Sequence, residues 1–202
     1  MLKRVFLVIG LLLLAVVLFL LWNTFTTKSI QPTGEVLQPI SVDGEAVAKR
    51  LSKAVQFQTI SAPDYFQDSI FIAFQNFIKT SYPEVFSNLN LQIIGNHSML
   101  LLWNGTDKSL KPALFLAHQD VVPVEEATIE MWQEEPFGGT IKEGIIWGRG
   151  SLDDKSSMLG LLEAATLLLQ NSFVPARDTY FLFGEDEEVL GTKGAKNAAK
   201  YF

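Results

Sequence analysis

Leu116-Ala-His118-Gln-Asp120, Gly148-Arg-Gly-Ser-Leu-Asp153-Asp154-Lys155 and Gly184-Glu-Asp-Glu187-Glu188 are the three segments on which the reading of this chain turns. Each begins where an apolar run gives way to polar residues, as at the end of a strand, and loops mounted there carry much of a protein's chemistry. Ala113 to Ala117 and Thr179 to Phe183 are short apolar runs bounded by turn residues, a strand signal. Between them, Asp154 to Gln170 repeats Met158, Leu161, Leu162, Ala165 and Leu168 at helical spacing.

Working toward the N-terminus, Leu89 to Ile94 and Met99 to Trp103 read as further strands, with Gly105 to Pro112 as a loop. Thr140 to Glu143 and Ile145 to Trp147 flank Gly144 as a hairpin, and Thr192 to Tyr201 reads as a short helix. Gly44 to Phe57 has the spacing of a helix. Ser61 to Thr80 reads as a second one, with Ser61 and Asp64 resembling a capping box, Pro63 in the first turn and Phe66, Ile70, Phe74, Phe77 and Ile78 as its buried stripe. Helices, then strands, then a helix between strands make an α/β layered architecture.

Composition narrows the function. A net charge of -6 argues against nucleic-acid binding, which needs a basic face, and the absence of cysteine excludes disulfides and thiolate-held zinc. Lys3-Arg4 precedes an uncharged run from Val5 to Trp22, whose 18 residues extend about 27 Å as a helix, close to a bilayer's hydrocarbon thickness. Residues 1–25 are therefore expected to be a signal anchor or signal peptide, 26–42 a linker, and 43–202 the catalytic part. The run is long for a cleaved h-region and no Ala-x-Ala follows, which favours a retained anchor. Lys3 and Arg4 would stay cytosolic, leaving the remainder lumenal, vacuolar or extracellular, or secreted if the segment is cleaved. Asn96-His-Ser98 and Asn104-Gly-Thr106 are glycosylation sequons in keeping with that side.

One imidazole and several carboxylates form a donor set suited to zinc. His118 and Asp120, two apart on an extended segment, point the same way, so one can ligate while the other orients. A His at a strand end is, however, often purely structural. Asp153 fits an N-cap as well as a bridging carboxylate. Gly148-Arg-Gly-Ser matches neither a Walker loop nor a dinucleotide fingerprint. Glu185 to Glu188 would ordinarily be a solvated acidic loop, yet it directly follows a buried strand. If Glu188 ligates metal, Glu187 is left free to move a proton. His97 falls in a turn beside a sequon and reads as a surface residue.

Together and in this order, the motifs resemble those of the dinuclear-zinc peptidase family that includes carboxypeptidase S, aminoacylase and acetylornithine deacetylase. The likeness runs from about Ala46 to the end. His118-Gln-Asp-Val-Val-Pro123, Trp132 and Pro136-Phe137 are nearest to carboxypeptidase S and to the secreted enzymes that make and hydrolyse N-fatty-acyl amino acids. The resemblance implies a three-layer domain with a mixed central sheet and two zinc ions per complete site. It implies His118 on one zinc, Glu188 on the other, Asp153 bridging them, Glu187 as general base and acid, and Asp120 orienting His118. It also implies a cis peptide between Asp153 and Asp154.

The family has a further Asp, a further His and an inserted lid beyond these motifs, whereas no Asp, Glu or His follows Glu188 here. The chain is thus expected to be the incomplete first part of an enzyme. The expected reaction is zinc-dependent hydrolysis of an amide next to a free carboxylate, in a peptide or N-acyl amino acid. The alternatives are an inactive membrane-anchored binding or regulatory fragment, and a metallohydrolase of another specificity, such as an aminopeptidase.

Overall fold

The structure is a computed structural model and describes residues 1–29 and 40–202. Most of the expected 26–42 linker lies outside the described residues. The chain divides into two compact units, Met1–Ser41 and Val42–Phe202.

In the first, α1 (Leu2–Thr26) buries none of its residues and is long and apolar enough to cross a membrane, a test that signal sequences also pass. At about 1.5 Å per residue its 25 residues reach about 37 Å.

The second unit opens with α2 (Gly44–Val55), where Asp43 caps the first turn by accepting from the Ala46 N–H at 3.1 Å. α3 (Asp68–Ser81) and α4 (Pro83–Asn88) follow, the latter started by Pro83 in its first turn. The strands are β1 (Asn90–Ile94), β2 (Ser98–Trp103), β3 (Ala113–His118), the hairpin β4 (Ile141–Lys142) and β5 (Ile145–Ile146), and β6 (Thr179–Gly184). α5 (Lys155–Gln170) lies between β5 and β6, α6 (Ala195–Ala198) follows β6, and 3-10 turns occupy Glu126–Met131 and Glu187–Val189.

The main sheet has the order β1-β2-β6-β3. β1 with β2 and β2 with β6 are antiparallel, while β3 and β6 run parallel, with Leu116 opposite Leu182 and His118 opposite Gly184. It is a mixed sheet with the long helices on one face and the short α6 on the other. On one face Met99, Leu101, Phe181 and Phe183 pack with Ala54, Phe74, Ile78, Met158 and Leu162 of the long helices. On the other, Leu100 and Leu182 pack with Ala198 of α6. Among the described residues β3 is an edge strand, and its Leu114, Phe115 and Leu116 are exposed.

A polar clamp ties the long helices together. Arg50 of α2 forks onto Glu163 of α5 at 2.6 and 2.8 Å, and the Tyr82 hydroxyl donates to the same carboxylate at 2.8 Å. Burial and that carboxylate raise the Tyr82 pKa.

Two local expectations fail. The second helix begins at Asp68, not Ser61. The Ser61 hydroxyl donates instead to the Glu185 carbonyl at 2.9 Å, and Ile60 bridges Val121, so the apparent capping box belongs to an extended segment laid beside the site. The N-cap of α5 is Asp154 rather than Asp153, and its side chain makes no capping bond.

Candidate metal centre

Parallel pairing brings the C-terminal ends of β3 and β6 to the same side of the sheet, and both strands release their polar segments there. The loop before α5 supplies the third. Gly150 adopts φ +85°, and a Cβ there would sit 2.7 Å from Val121 Cγ1, so glycine lets the segment before α5 close onto the one after β3. The peptide between Asp153 and Asp154 is cis.

His118, Asp153 and Glu188 each present a ligand atom, all within 4.8 Å of one another. His118 Nε2 lies 3.0 Å from Asp153 Oδ1 and 3.8 Å from Glu187 Oε2. The imidazole is nearly buried, whereas the Asp153 and Glu187 side chains are 76% and 62% exposed, so the carboxylates form an open rim over a fixed ring.

Asp120 builds this arrangement from below, fully buried. Its carbonyl lies 3.0 Å and its carboxylate 3.3 Å from His118 Nδ1, which turns Nε2 toward the rim. The same carboxylate accepts the Glu187 and Glu188 N–H groups, each at 3.1 Å. One side chain therefore orients the imidazole and anchors the 3-10 turn that carries both glutamates.

The electrostatics follow from that crowding. Burial opposes a charged His118, but Asp120 and Asp153 outweigh it and raise its pKa to about 9. Burial, then repulsion from Asp153, raises Glu188. A set of one imidazole nitrogen and two carboxylates, short of positive charge, fits a borderline divalent cation such as zinc.

The remaining acids of Gly184-Glu-Asp-Glu187-Glu188 are not solvated, contrary to the ordinary reading of such a run. Glu185 is buried and accepts the Asn96 N–H at 3.2 Å and the His97 N–H, while burial raises its pKa. Asp186 is buried and accepts the Lys193 and Gly194 N–H groups at 2.7 and 2.8 Å. Two acids thus bolt the segment to the β1–β2 turn and to the start of α6, leaving the next two at the rim.

His97 is likewise not a surface residue. It is buried, 2.6 Å from Asp68 Oδ1, and its ring stacks on Phe71 and Phe66. Gln119 escaped notice in the sequence, yet its Nε2 donates to the His97 and Phe183 carbonyls at 2.8 and 2.9 Å, fixing the exit of β3 against β6. Lys155 is also buried, donating to the Ala54 and Phe57 carbonyls at 3.0 and 2.6 Å beneath the site. Burial pushes its pKa down to about 7, against the pull of Asp120.

The sequence profile of Peptidase family M20/M25/M40 matches residues 114–202, the stretch that holds every residue of this cluster. The chain is 42% identical over 201 residues to the probable carboxypeptidase S-like 2 of Dictyostelium discoideum, covering 95% of this chain and 38% of that protein. It is 35% identical over 154 residues to the N-fatty-acyl-amino acid synthase/hydrolase PM20D1 of Bos taurus, covering 75% of this chain and 30% of that protein. The chain thus spans well under half the length of the curated relatives it matches. Human carnosine dipeptidase 1 superposes with a TM-score of 0.60 at 14% identity over 81% of this chain and 38% of its own, a likeness of fold alone. Residues 114–202 thus carry the sequence pattern of peptidase family M20/M25/M40.

Proposed function

We propose that this chain carries part of the active site of a zinc hydrolase that cleaves an amide bond next to a free carboxylate, in a peptide or an N-acyl amino acid. The observation that carries the reading is the convergence of His118, Asp153 and Glu188 within 4.8 Å, with Glu187 beside them. The relatives named carboxypeptidase S-like and N-fatty-acyl-amino acid synthase/hydrolase support the substrate class.

In this reading His118, Asp153 and Glu188 would hold the zinc, His118 and Glu188 from opposite sides and Asp153, with two oxygens on a short stem, as the ligand shared between them. Bound there, zinc supplies polarisation of the scissile carbonyl and acidification of the attacking water. Glu187 takes the proton of that water on its carboxylate and passes it to the nitrogen of the leaving amine. Asp120 keeps the Nδ1 edge of His118 occupied, so that Nε2 alone faces the rim. α1 serves as a signal anchor or signal peptide, and the sequon residues Asn96 and Asn104, both exposed, accept glycans on the lumenal side.

Zinc titration followed by hydrolysis assays on N-acyl amino acids and dipeptides tests the proposal. The isolated 202 residues are expected to bind zinc weakly and turn over slowly. In a chain extended to the relatives' length, Glu187→Gln should cut kcat by roughly 100-fold or more while zinc stays bound. An unchanged rate in that variant removes Glu187 as the base.

A further inference from the structure

Among the described residues, β3 is paired on one side only. The Ala113 and Gln119 N–H groups face that side, donating to the Asp178 and Gly184 carbonyls at 2.9 and 2.8 Å. Strand alternation therefore turns the N–H groups of Leu114, Leu116 and His118 toward the open edge. The first two meet no side-chain acceptor among the described residues. The third, on the residue that carries the imidazole, donates to Asp154 Oδ2 at 3.3 Å.

Asp154 leaves its local role to make this bond. It stands at the N-cap of α5, where an aspartate ordinarily accepts from the first-turn N–H groups of its own helix. Its side chain makes no capping bond and reaches instead to a backbone group 36 residues away in sequence. With His118 and Glu187 it lines one cavity of about 340 Å³, whose other side chains, Leu116, Ala117, Leu182 and Ala195, are apolar. Beside such a wall a hydrogen bond to a carboxylate is stronger than on an open surface. The preceding residue, Asp153, lies 3.0 Å from His118 Nε2. Consecutive carboxylates thus reach both ends of one residue, its backbone N–H and the tip of its ring, while Asp120 takes the Nδ1 edge.

We propose that Asp154 is a positioning residue of the metal centre: by accepting the edge N–H of His118, it fastens the strand that carries the imidazole to the loop that carries Asp153. The spacing of those two ligands is then set by the protein before a cation arrives. The assignment rests on the metal-site reading above and deepens it. It gives Asp154 a duty distinct from that of Asp120, which holds the ring and the glutamate turn but makes no bond to the β3 edge. Its neighbour Lys155 is occupied elsewhere, on the Ala54 and Phe57 carbonyls.

The test joins amide hydrogen exchange, followed residue by residue by NMR, to chelator-buffered zinc titration of the detergent-solubilised chain. In the zinc-free chain the His118 amide should exchange about 10- to 100-fold more slowly than those of Leu114 and Leu116, the worth of a bond to a charged acceptor. Asp154→Ala should abolish that difference, leave Leu114 and Leu116 unchanged and weaken zinc by about 10- to 100-fold. Asp154→Asn removes the same charge but keeps an acceptor oxygen, and should recover most of the loss in both measurements. Equal exchange of the three amides in the unsubstituted chain overturns the assignment, and that comparison needs no variant to fold. So does equal weakening of zinc by the alanine and asparagine variants, which would make the effect one of charge alone. Faster exchange spread over the whole sheet in Asp154→Ala, with a lowered melting temperature, would show a merely structural role and overturns it too. If the unsubstituted chain takes up no zinc, the metal-site reading fails, and the exchange comparison alone decides whether Asp154 holds His118.

Discussion

Replacing Asp120 by Asn should weaken zinc binding at high pH and much less near neutrality. The variant keeps shape and one acceptor oxygen. It places an NH2 group against either the Glu187 or the Glu188 N–H, both of which now donate to the carboxylate at 3.1 Å. One buried donor loses its acceptor, and the surviving bond loses its charge, which together should cost about 2–4 kcal/mol of stability. Buried Lys155 also loses its attraction to Asp120. With the imidazole and the glutamate turn less firmly held, intrinsic zinc affinity should fall by about 10- to 100-fold, the usual effect of removing a group that orients a ligand.

A second effect opposes this one. The His118 pKa of about 9 means that zinc must displace a proton, which at pH 7 costs the unsubstituted chain roughly 100-fold in apparent affinity. Without the Asp120 carboxylate that pKa falls back toward the ordinary value of about 6.5, and most of the competition disappears. The two effects are of similar size, so the variant and the parent should differ by less than about tenfold at pH 7. At pH 9.5, where His118 is largely neutral in both, the intrinsic loss should emerge in full. Chelator-buffered zinc titrations at both pH values, with NMR titration of the His118 ring, measure it. A loss of equal size at both pH values, with the ring still titrating near 9 in the variant, refutes the role given to Asp120.

Three further outcomes follow from the same geometry. The contribution of His118 to the stability of the zinc-free chain should be lost between about pH 6.5 and 9, while Lys155, lowered to about 7 by burial, acts in the opposite direction above pH 7. His118 has its raised pKa of about 9 only when folded, so its contribution is complete below the unfolded value and vanishes above the folded one. Urea melts of the parent and of His118→Gln, compared as a difference across that range, should show the decline, because the Lys155 term cancels between them. Glu163→Ala should destabilise the second unit by about 2–4 kcal/mol, because it strands the Arg50 guanidinium and the Tyr82 hydroxyl. Zinc affinity measured on the surviving folded fraction should not change. Expressed in a secretory host, the chain should show two glycosidase-sensitive mobility steps, each removed by Asn96→Gln or Asn104→Gln, and absence of both would place the second unit on the cytosolic side.

Local pattern carried most of the strands and the long helix, because those elements follow the 2.0 and 3.6 residue periods. Misreadings fell where a side chain's partner is distant in sequence. Ser61 looks like a cap because Asp64 stands three residues on, yet its partner is Glu185. His97 looks solvated because Asn96 and Ser98 flank it, whereas Asp68, Phe66 and Phe71 enclose it. Four consecutive acids look like one solvated loop. They divide two and two only because the N–H groups of the β1–β2 turn and of the start of α6 arrive to meet Glu185 and Asp186. The residues that converge at the rim were legible as types in a fixed order, and the i, i+2 spacing gave the direction shared by His118 and Asp120. The hold of Asp120 on the Glu187–Glu188 turn was not legible, since 67 and 68 residues separate the partners.

The exposed edge at β3 has a practical consequence for anyone handling the second unit. The strand that carries His118 to the rim also presents an open ladder of backbone donors and acceptors, flanked by Leu114, Phe115 and Leu116. Such an edge is a template for fibrils and for illegitimate pairing between molecules in a concentrated solution. A lysine at Leu116, 61% exposed and two residues before His118, would act as a gatekeeper against that zipping. Solubility and chemistry therefore meet on one strand, and a preparation that clumps reports on the edge before it says anything of the metal.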